Sequence, residues 1–258
     1  EGATSGNVLL RRAQYQAADS AAGVEVARMI VAGKLRNCRT LLRRALREQP
    51  HLELPATLQR LNQLQQDCAH ASDLDSLRGL EGMGANLYFS AWPGLLHGDE
   101  GMRFSTRSRR PPLDEVNAAL SFLYALLRAD CYTAAEVVGL DPQVGFLHRD
   151  RPGRPSLALD LMEELRPVYA DRLLWALVNR RQLRPEHFVR ESTGAVLLTE
   201  EGRKLLIRAY AERKPQEFQH PYLAFRTDWA LLPMLQARIL ARFLREDLDS
   251  YVPFVLED

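Results

Sequence analysis

The sequence predicts a mainly α-helical fold, a multi-helix lobe with one small β-hairpin. Apolar residues return at every third or fourth position over most of the chain, glycine and proline punctuate those stretches, and only one short segment is β-prone. At 258 residues the chain can bury a sizeable core. It reads as a single helical domain over residues 1–258, with a junction segment at 1–23 and a basic loop at 97–112.

Residues 24–48 carry Val26, Met29, Ile30, Leu35, Cys38, Leu41, Leu42, Ala45 and Leu46 at helical spacing, which makes an amphipathic helix. A more polar helix follows over 53–69. The next opens on the acids of DLDSL and runs to about Trp92, where Pro93 and Gly94 end it. HGDEGMRFSTRSRRPP, 97–112, has no apolar period and holds Arg103, Arg107, Arg109 and Arg110. From Asp114 a helix rich in leucine and alanine runs to the GLDP turn at 139–142. Another starts near Pro155, whose missing N–H suits a first turn, and reaches about Asn179 with a bend expected at Pro167. HFVRESTGAVLLT, 187–199, reads as the hairpin, and helices at about 200–213 and 222–248 finish the chain.

Composition excludes more than it names. With 34 basic and 33 acidic residues the formal charge is +1, so any polyanion partner must be met by local patches. No apolar run approaches the roughly 20 residues that span a bilayer, and the start lacks the pattern of a signal peptide; a cytoplasmic protein with no membrane partner is expected. Cys38, Cys68 and Cys131 are odd in number and widely spaced, as buried thiols are, rather than a disulfide framework or zinc cage.

The chemistry concentrates in GFLHRDRPGRPSLALDLMEELRP, 145–167. Asp160, Glu163 and Glu164 sit three and four apart, so they share a side of a helix. Such acids are usually an exposed turn, here answered by Arg166. The flanking SLAL and LM leave almost no polar surface, however, which implies a buried helix whose acids need a partner such as a metal ion. Glu81, in LRGLEGMGANLYF, lies among Gly79, Gly82 and Gly84. Each glycine costs roughly 1 kcal/mol in a helix relative to alanine, so either a backbone or a substrate comes close there. His148 stands between an apolar GFL and a basic RDRPGR. One imidazole with two or three carboxylates is an oxygen-dominated site suited to Mg²⁺ or Mn²⁺.

GLEGMGANLYF, PLDEVNAALSFLYALL and GFLHRDRPGRPSLALDLMEELRP together, in this order and spacing, resemble the catalytic helical lobe of the CRISPR-associated protein one family, the integrase and endonuclease of CRISPR spacer acquisition. The resemblance implies that Glu81, His148 and Glu163 form a metal-binding triad for Mg²⁺ or Mn²⁺. Asp160 is then an additional catalytic-site acid that completes or orients the ligands, and Glu164 is structural. It further implies a DNA integrase that joins prespacer 3′-hydroxyl ends to the repeat by transesterification, with associated endonuclease activity. The implied partners are prespacer and CRISPR repeat DNA, a second copy of the full-length protein, a small CRISPR-associated bridging subunit and an end-trimming nuclease. The family ordinarily carries a β-rich N-terminal domain, which this chain is expected to lack, since it opens on what resembles the junction, SGNVLLRRAQY.

DNA phosphates would be met by the RFSTRSRRPP loop with Arg107, Arg109 and Arg110, and by the turn beside His148 with Arg149 and Arg154. Arg36, Arg39, Arg43 and Arg47 make a further stripe, equally readable as a solvated face. Tyr88 and Phe89 could stack on a base, with core packing the plainer reading. Two rivals remain open from the residues: a metal-dependent structure-selective nuclease that does not integrate, and a non-catalytic helical DNA-binding or assembly module.

Overall fold

The computed structural model describes residues 7–257, so the first six residues of the junction segment lie outside the described residues. The rest of that segment is helical. Asn7 accepts the N–H groups of Leu9 and Leu10 and starts α1 (Val8–Ala18). Ser20 then caps α2 (Ala21–Glu48), three residues earlier than the apolar period alone places it. α3 (Pro55–Asp67) begins on a proline, and α4 (Leu74–Ser90) is capped by Asp73, whose side chain accepts the Ser76 N–H at 2.8 Å. Asp114 does the same for α5 (Glu115–Val138), which stops at Gly139 with φ +92°.

The expected helix from Pro155 to Asn179 is two helices in series. α6 (Ser156–Leu165) passes into a π-helical turn (Arg166–Asp171) before α7 (Arg172–Asn179). Pro167 has no N–H to donate, and the widened turn accommodates that loss. The hairpin at 187–199 is present as β1 (Phe188–Arg190) and β2 (Val196–Leu198), antiparallel with Val189 opposite Leu197. α8 (Glu200–Arg213) follows, capped by Thr199.

The expectation of one helix over 222–248 is corrected. A second antiparallel hairpin, β3 (Glu217–Gln219) with β4 (Arg226–Asp228), occupies its first part, and α9 (Leu232–Leu244) starts only later. The turn at Pro221 and the extended Thr227 compete successfully with helix there. Phe218 packs on Trp229 at 4.4 Å between ring centroids, so the hairpin is held by aromatic burial rather than by its short strands.

α6 lies between α2 and α5, with α4 and α3 beyond α2 and α9 beyond α5. That position explains a helix apolar nearly all round. Leu157, Ala158, Leu161, Met162 and Leu165 are all inaccessible to water. α2 approaches closely on both flanks. A Cβ on Gly84 would lie 2.1 Å from the Leu35 side chain, and one on Gly33 would lie 2.7 Å from Pro253. Asn37 ties the layers further: it donates to the carbonyls of Glu164 and Phe254 and accepts from Leu256 N–H. The three cysteines are buried free thiols, and burial pushes the Cys68 thiol up to about 11. No helix among the described residues is long and apolar enough to cross a membrane.

The π turn delivers Asp171 into the core, where it accepts from Tyr88 Oη at 3.0 Å and Tyr124 Oη at 2.8 Å. Burial pushes its carboxyl up to about 7 against the pull of these hydroxyls and of Arg166 and Lys34. The folded protein therefore keeps the proton where the unfolded chain has released it. Its contribution is complete below about pH 4 and is lost as pH rises through about 7. Thermal unfolding followed from pH 4 to pH 8 should show a shallower loss of Tm in Asp171→Asn than in the parent chain; equal slopes would contradict this account.

Candidate active site

α2, α4 and α6, together with the loop before α6, bring one polar side chain each to a common point. From α6, Glu163 is only 2% exposed. Its Oε2 accepts from Lys34 Nζ of α2 at 2.6 Å, and its Oε1 from Arg166 at 2.9 Å. The same Lys34 ammonium also donates to Glu81 of α4. His148 Nε2 lies 3.7 Å from Glu163 Oε1. The site residues named from sequence thus meet, with a lysine interposed that the sequence reading did not single out.

Electrostatics explains why so much charge tolerates burial. Burial pushes the Glu163 carboxyl up, yet Arg166, Lys34 and His148 outweigh it and hold the group down at about 2. Burial likewise pulls the Lys34 ammonium down, and Glu163 and Glu81 overcome that and raise it. A buried charge without such partners would cost several kcal/mol. Arg166 itself lies over the Tyr124 ring at 4.8 Å, which fixes the guanidinium plane beside Glu163.

Asp160, a full turn before Glu163 and Glu164, faces the loop that carries His148. Oδ2 accepts the N–H groups of Phe146 at 2.6 Å and Leu147 at 2.9 Å; Oδ1 accepts His148 N–H at 3.0 Å and Nδ1 at 2.6 Å. Both of its oxygens are therefore engaged within the protein. With Nδ1 donating to Asp160, the lone pair of a neutral ring is on Nε2, on the Glu163 side. Gly145 permits this closeness, since a Cβ there would lie 2.7 Å from Asp160 Oδ2 and 2.8 Å from the Ser156 backbone. Glu164, by contrast, turns to the core, accepting from Gln236 at 2.7 Å and Tyr251 at 2.8 Å. Burial pushes its carboxyl up to about 8. It packs away from the cleft, as expected of a structural acid.

Glu81, His148 and Glu163 open on a cleft of about 310 Å³ edged by Arg78, Arg149, Arg151 and Arg154. Gly79 and Gly82 flank Glu81, and a Cβ on either would meet nothing. Of the glycines around Glu81, then, Gly84 serves helix packing while the other two leave the rim low. The donor set fits a divalent cation: two carboxylates and an imidazole nitrogen gather around a point that already holds a positive charge. Among the described residues no three acidic, histidine or cysteine side chains stand close enough to cage an ion as they are; Lys34 is the group between the carboxylates.

The arginines named from sequence divide. Arg149 is exposed and reaches Asp75 at 2.8 Å, a surface pair of little energy that a phosphate can replace, and Arg154 lines the cleft. Arg109 and Arg110 are exposed on the loop. Arg107 is different: its guanidinium donates to Asn117 at 2.6 Å and Ser121 at 3.2 Å and lies over Tyr124 at 5.6 Å. It anchors the loop to α5, because Asn117 on the first turn offers an acceptor that no phosphate has to displace. On α2, burial and neighbouring guanidinium groups lower Arg39 and Arg43, so the stripe is a crowded positive surface. Tyr88 is buried among Phe89, Trp92 and Trp175, which settles it as core.

Asp160→Ala would leave three backbone N–H groups and His148 Nδ1 without an acceptor. Urea unfolding should show a loss of about 3 kcal/mol or more, and a loss below about 1 kcal/mol would refute the assigned role.

The chain has counterparts among known proteins. The family model described as CRISPR associated protein Cas1 matches residues 1–212. CRISPR-associated endonuclease Cas1 2 of Rhodospirillum rubrum is 53% identical over 263 residues, covering 98% of this chain and 76% of that protein. Among solved structures, a casposase bound to integration product superposes with a TM-score of 0.87 at 23% identity, over 98% of this chain and 70% of that one. That likeness concerns the fold alone. A Cas6-RT-Cas1–Cas2 complex gives a TM-score of 0.84 at 26% identity, over 98% of this chain and 27% of that one. A family match over most of the chain, a relative identical at more than half of the compared positions, and the same fold in both structures lead to one conclusion: the chain belongs to the CRISPR-associated Cas1 family.

Proposed function

We propose that this chain is the catalytic lobe of a divalent-metal-dependent DNA integrase of CRISPR spacer acquisition, which joins prespacer 3′-hydroxyl ends to the repeat by transesterification and cuts DNA when water replaces the hydroxyl. The observation that carries the reading is the convergence of Glu81, Glu163 and His148, from separate elements, on one arginine-edged cleft. The Cas1 endonuclease relative supports the nuclease chemistry, and the Cas1–Cas2 assembly supports a small bridging subunit.

Glu81, Glu163 and His148 Nε2 are the groups that would hold Mg²⁺ or Mn²⁺. When bound, the ion supplies Lewis-acid charge at the phosphoryl oxygens and makes the attacking hydroxyl more acidic. Asp160 keeps the His148 ring in one tautomer and orientation. Arg166 keeps Glu163 ionised and fixed, so the carboxylate needs no reorganisation during reaction. Arg149, Arg151 and Arg154 receive the phosphates on either side of the reacting one, and Arg109 and Arg110 extend that track. In this reading the full-length protein acts as a dimer with its bridging subunit in the prokaryotic cytoplasm, on prespacer DNA that an end-trimming nuclease has prepared.

The complete polypeptide with its small partner subunit should join short duplexes to repeat-bearing DNA in Mg²⁺ or Mn²⁺. Glu81→Ala, His148→Ala and Glu163→Ala should each lower joining by about 100-fold or more. A nuclease without integration would cut and leave no joined product, and a non-catalytic module would be indifferent to Glu81→Ala. Replacing Arg109 and Arg110 together by alanine should weaken DNA binding and reduce the slope of log K against log salt by about 2. Arg107→Ala should instead show itself chiefly as a lower Tm.

A further inference from the structure

Lys34, beneath the cleft and in contact with Glu81 and Glu163, has no part in the metal-dependent reading above. It lies on the stripe of α2 that also carries Ile30, Asn37 and Leu41, and it is 5% exposed. Its backbone is tightly packed, because the neighbouring Gly33 lies under Pro253 and Leu35 fills the notch at Gly84. Its ammonium sits on a four-carbon stem and is held, among the described residues, by Glu81 and Glu163. Glu163 is enclosed, whereas the Glu81 side chain is 24% exposed toward the cleft, so the way out for the ammonium leads past Glu81.

The charges decide what this contact does. Glu81, Glu163 and Asp160 contribute three negative charges, and Lys34 and Arg166 return two positive ones. A divalent cation approaching Glu81 and Glu163 meets carboxylates already matched by buried cations, and the ammonium and the ion repel strongly at such range. Both cannot hold the same oxygens. A phosphodiester arriving between Arg78, Arg149, Arg151 and Arg154 brings the negative charge that can take the ammonium over.

We propose that Lys34 is a built-in counter-cation of the Glu81–Glu163 pair, which holds the two helices together in the metal-free protein, competes with the divalent ion, and yields its place when a nucleic-acid phosphate draws the ammonium into the cleft. The inference rests on the reading of this cleft as a metal-dependent nucleic-acid site. Its consequence is coupling. Metal and DNA strengthen each other's binding, and by reciprocity each does so by the same factor. The free protein in turn is kept from loading an ion that would cut DNA without engaging it productively.

The test is Mn²⁺ binding by the complete polypeptide, measured by electron paramagnetic resonance with and without a short single-stranded DNA, in the parent protein, Lys34→Gln, Lys34→Arg and Glu81→Gln. Lys34→Gln should bind Mn²⁺ about tenfold tighter or more without DNA. DNA should tighten Mn²⁺ binding by about tenfold in the parent and by less than about threefold in Lys34→Gln. Lys34→Arg, which keeps the charge, should stay weak in the absence of DNA. In EDTA, Lys34→Gln should melt lower than the parent and recover more on adding Mn²⁺, which also reports that the variant folds. Unchanged or weaker Mn²⁺ binding by Lys34→Gln, with Glu81→Gln still abolishing it, would overturn the role of Lys34 and leave the metal site standing. Mn²⁺ binding that is indifferent to Glu81→Gln would remove the metal reading and this inference with it.

Discussion

The structure turns on one constraint: a carboxylate placed inside protein must be matched there by positive charge. Glu163 lies on a helix wedged between two others, and Arg166 and Lys34, with His148 adding to them, hold it ionised against burial. Lys34 in turn reaches Glu81, so satisfying one buried group sets where α2, α4 and α6 stand relative to one another. The close steric fits at Gly33 and Gly84 serve the same end, since they bring α2 near enough for the lysine to span the gap. Packing and electrostatics are here a single problem with a single solution.

Four acids within a dozen residues show how environment assigns role. Asp160 is met by backbone N–H groups and a histidine and becomes a brace for the His148 loop. Glu163 meets cations and stays charged at the cleft. Glu164 and Asp171 meet neutral hydroxyl and amide groups directly, and burial raises both. Identical chemistry at the side-chain tip thus yields a positioning group, a ligand candidate and two core acids, according to what each helix face is packed against.

Much of this was legible in the residues. The apolar period located the helices because burial enforces it, and the charge-poor SLAL and LM flanks showed that the acids of α6 are inside. The second hairpin was not legible: its strands are three residues each, too short for alternation, and are stabilised by Phe218 and Trp229 meeting across a turn. Lys34 left a trace that went unread, a lysine on the same stripe as Ile30 and Leu41, where a charge needs a reason. Arg107 and Arg109 are alike as sequence. Only the three-dimensional nearness of Asn117 and Tyr124 separates an anchor from a free cation.

The wide turn at Arg166–Asp171 acts as a phase shifter between α6 and α7. Each residue of an α-helix advances the azimuth by about 100°, so removing one residue there would rotate all of α7 against its neighbours. The Glu163 and Arg166 side chains would keep their partners while Asp171, Leu174 and Val178 swung out of theirs. Side-chain identity along this stretch is therefore freer to drift than residue number, and the spacing between the buried acids Glu163 and Asp171 behaves as a fixed dimension of the fold.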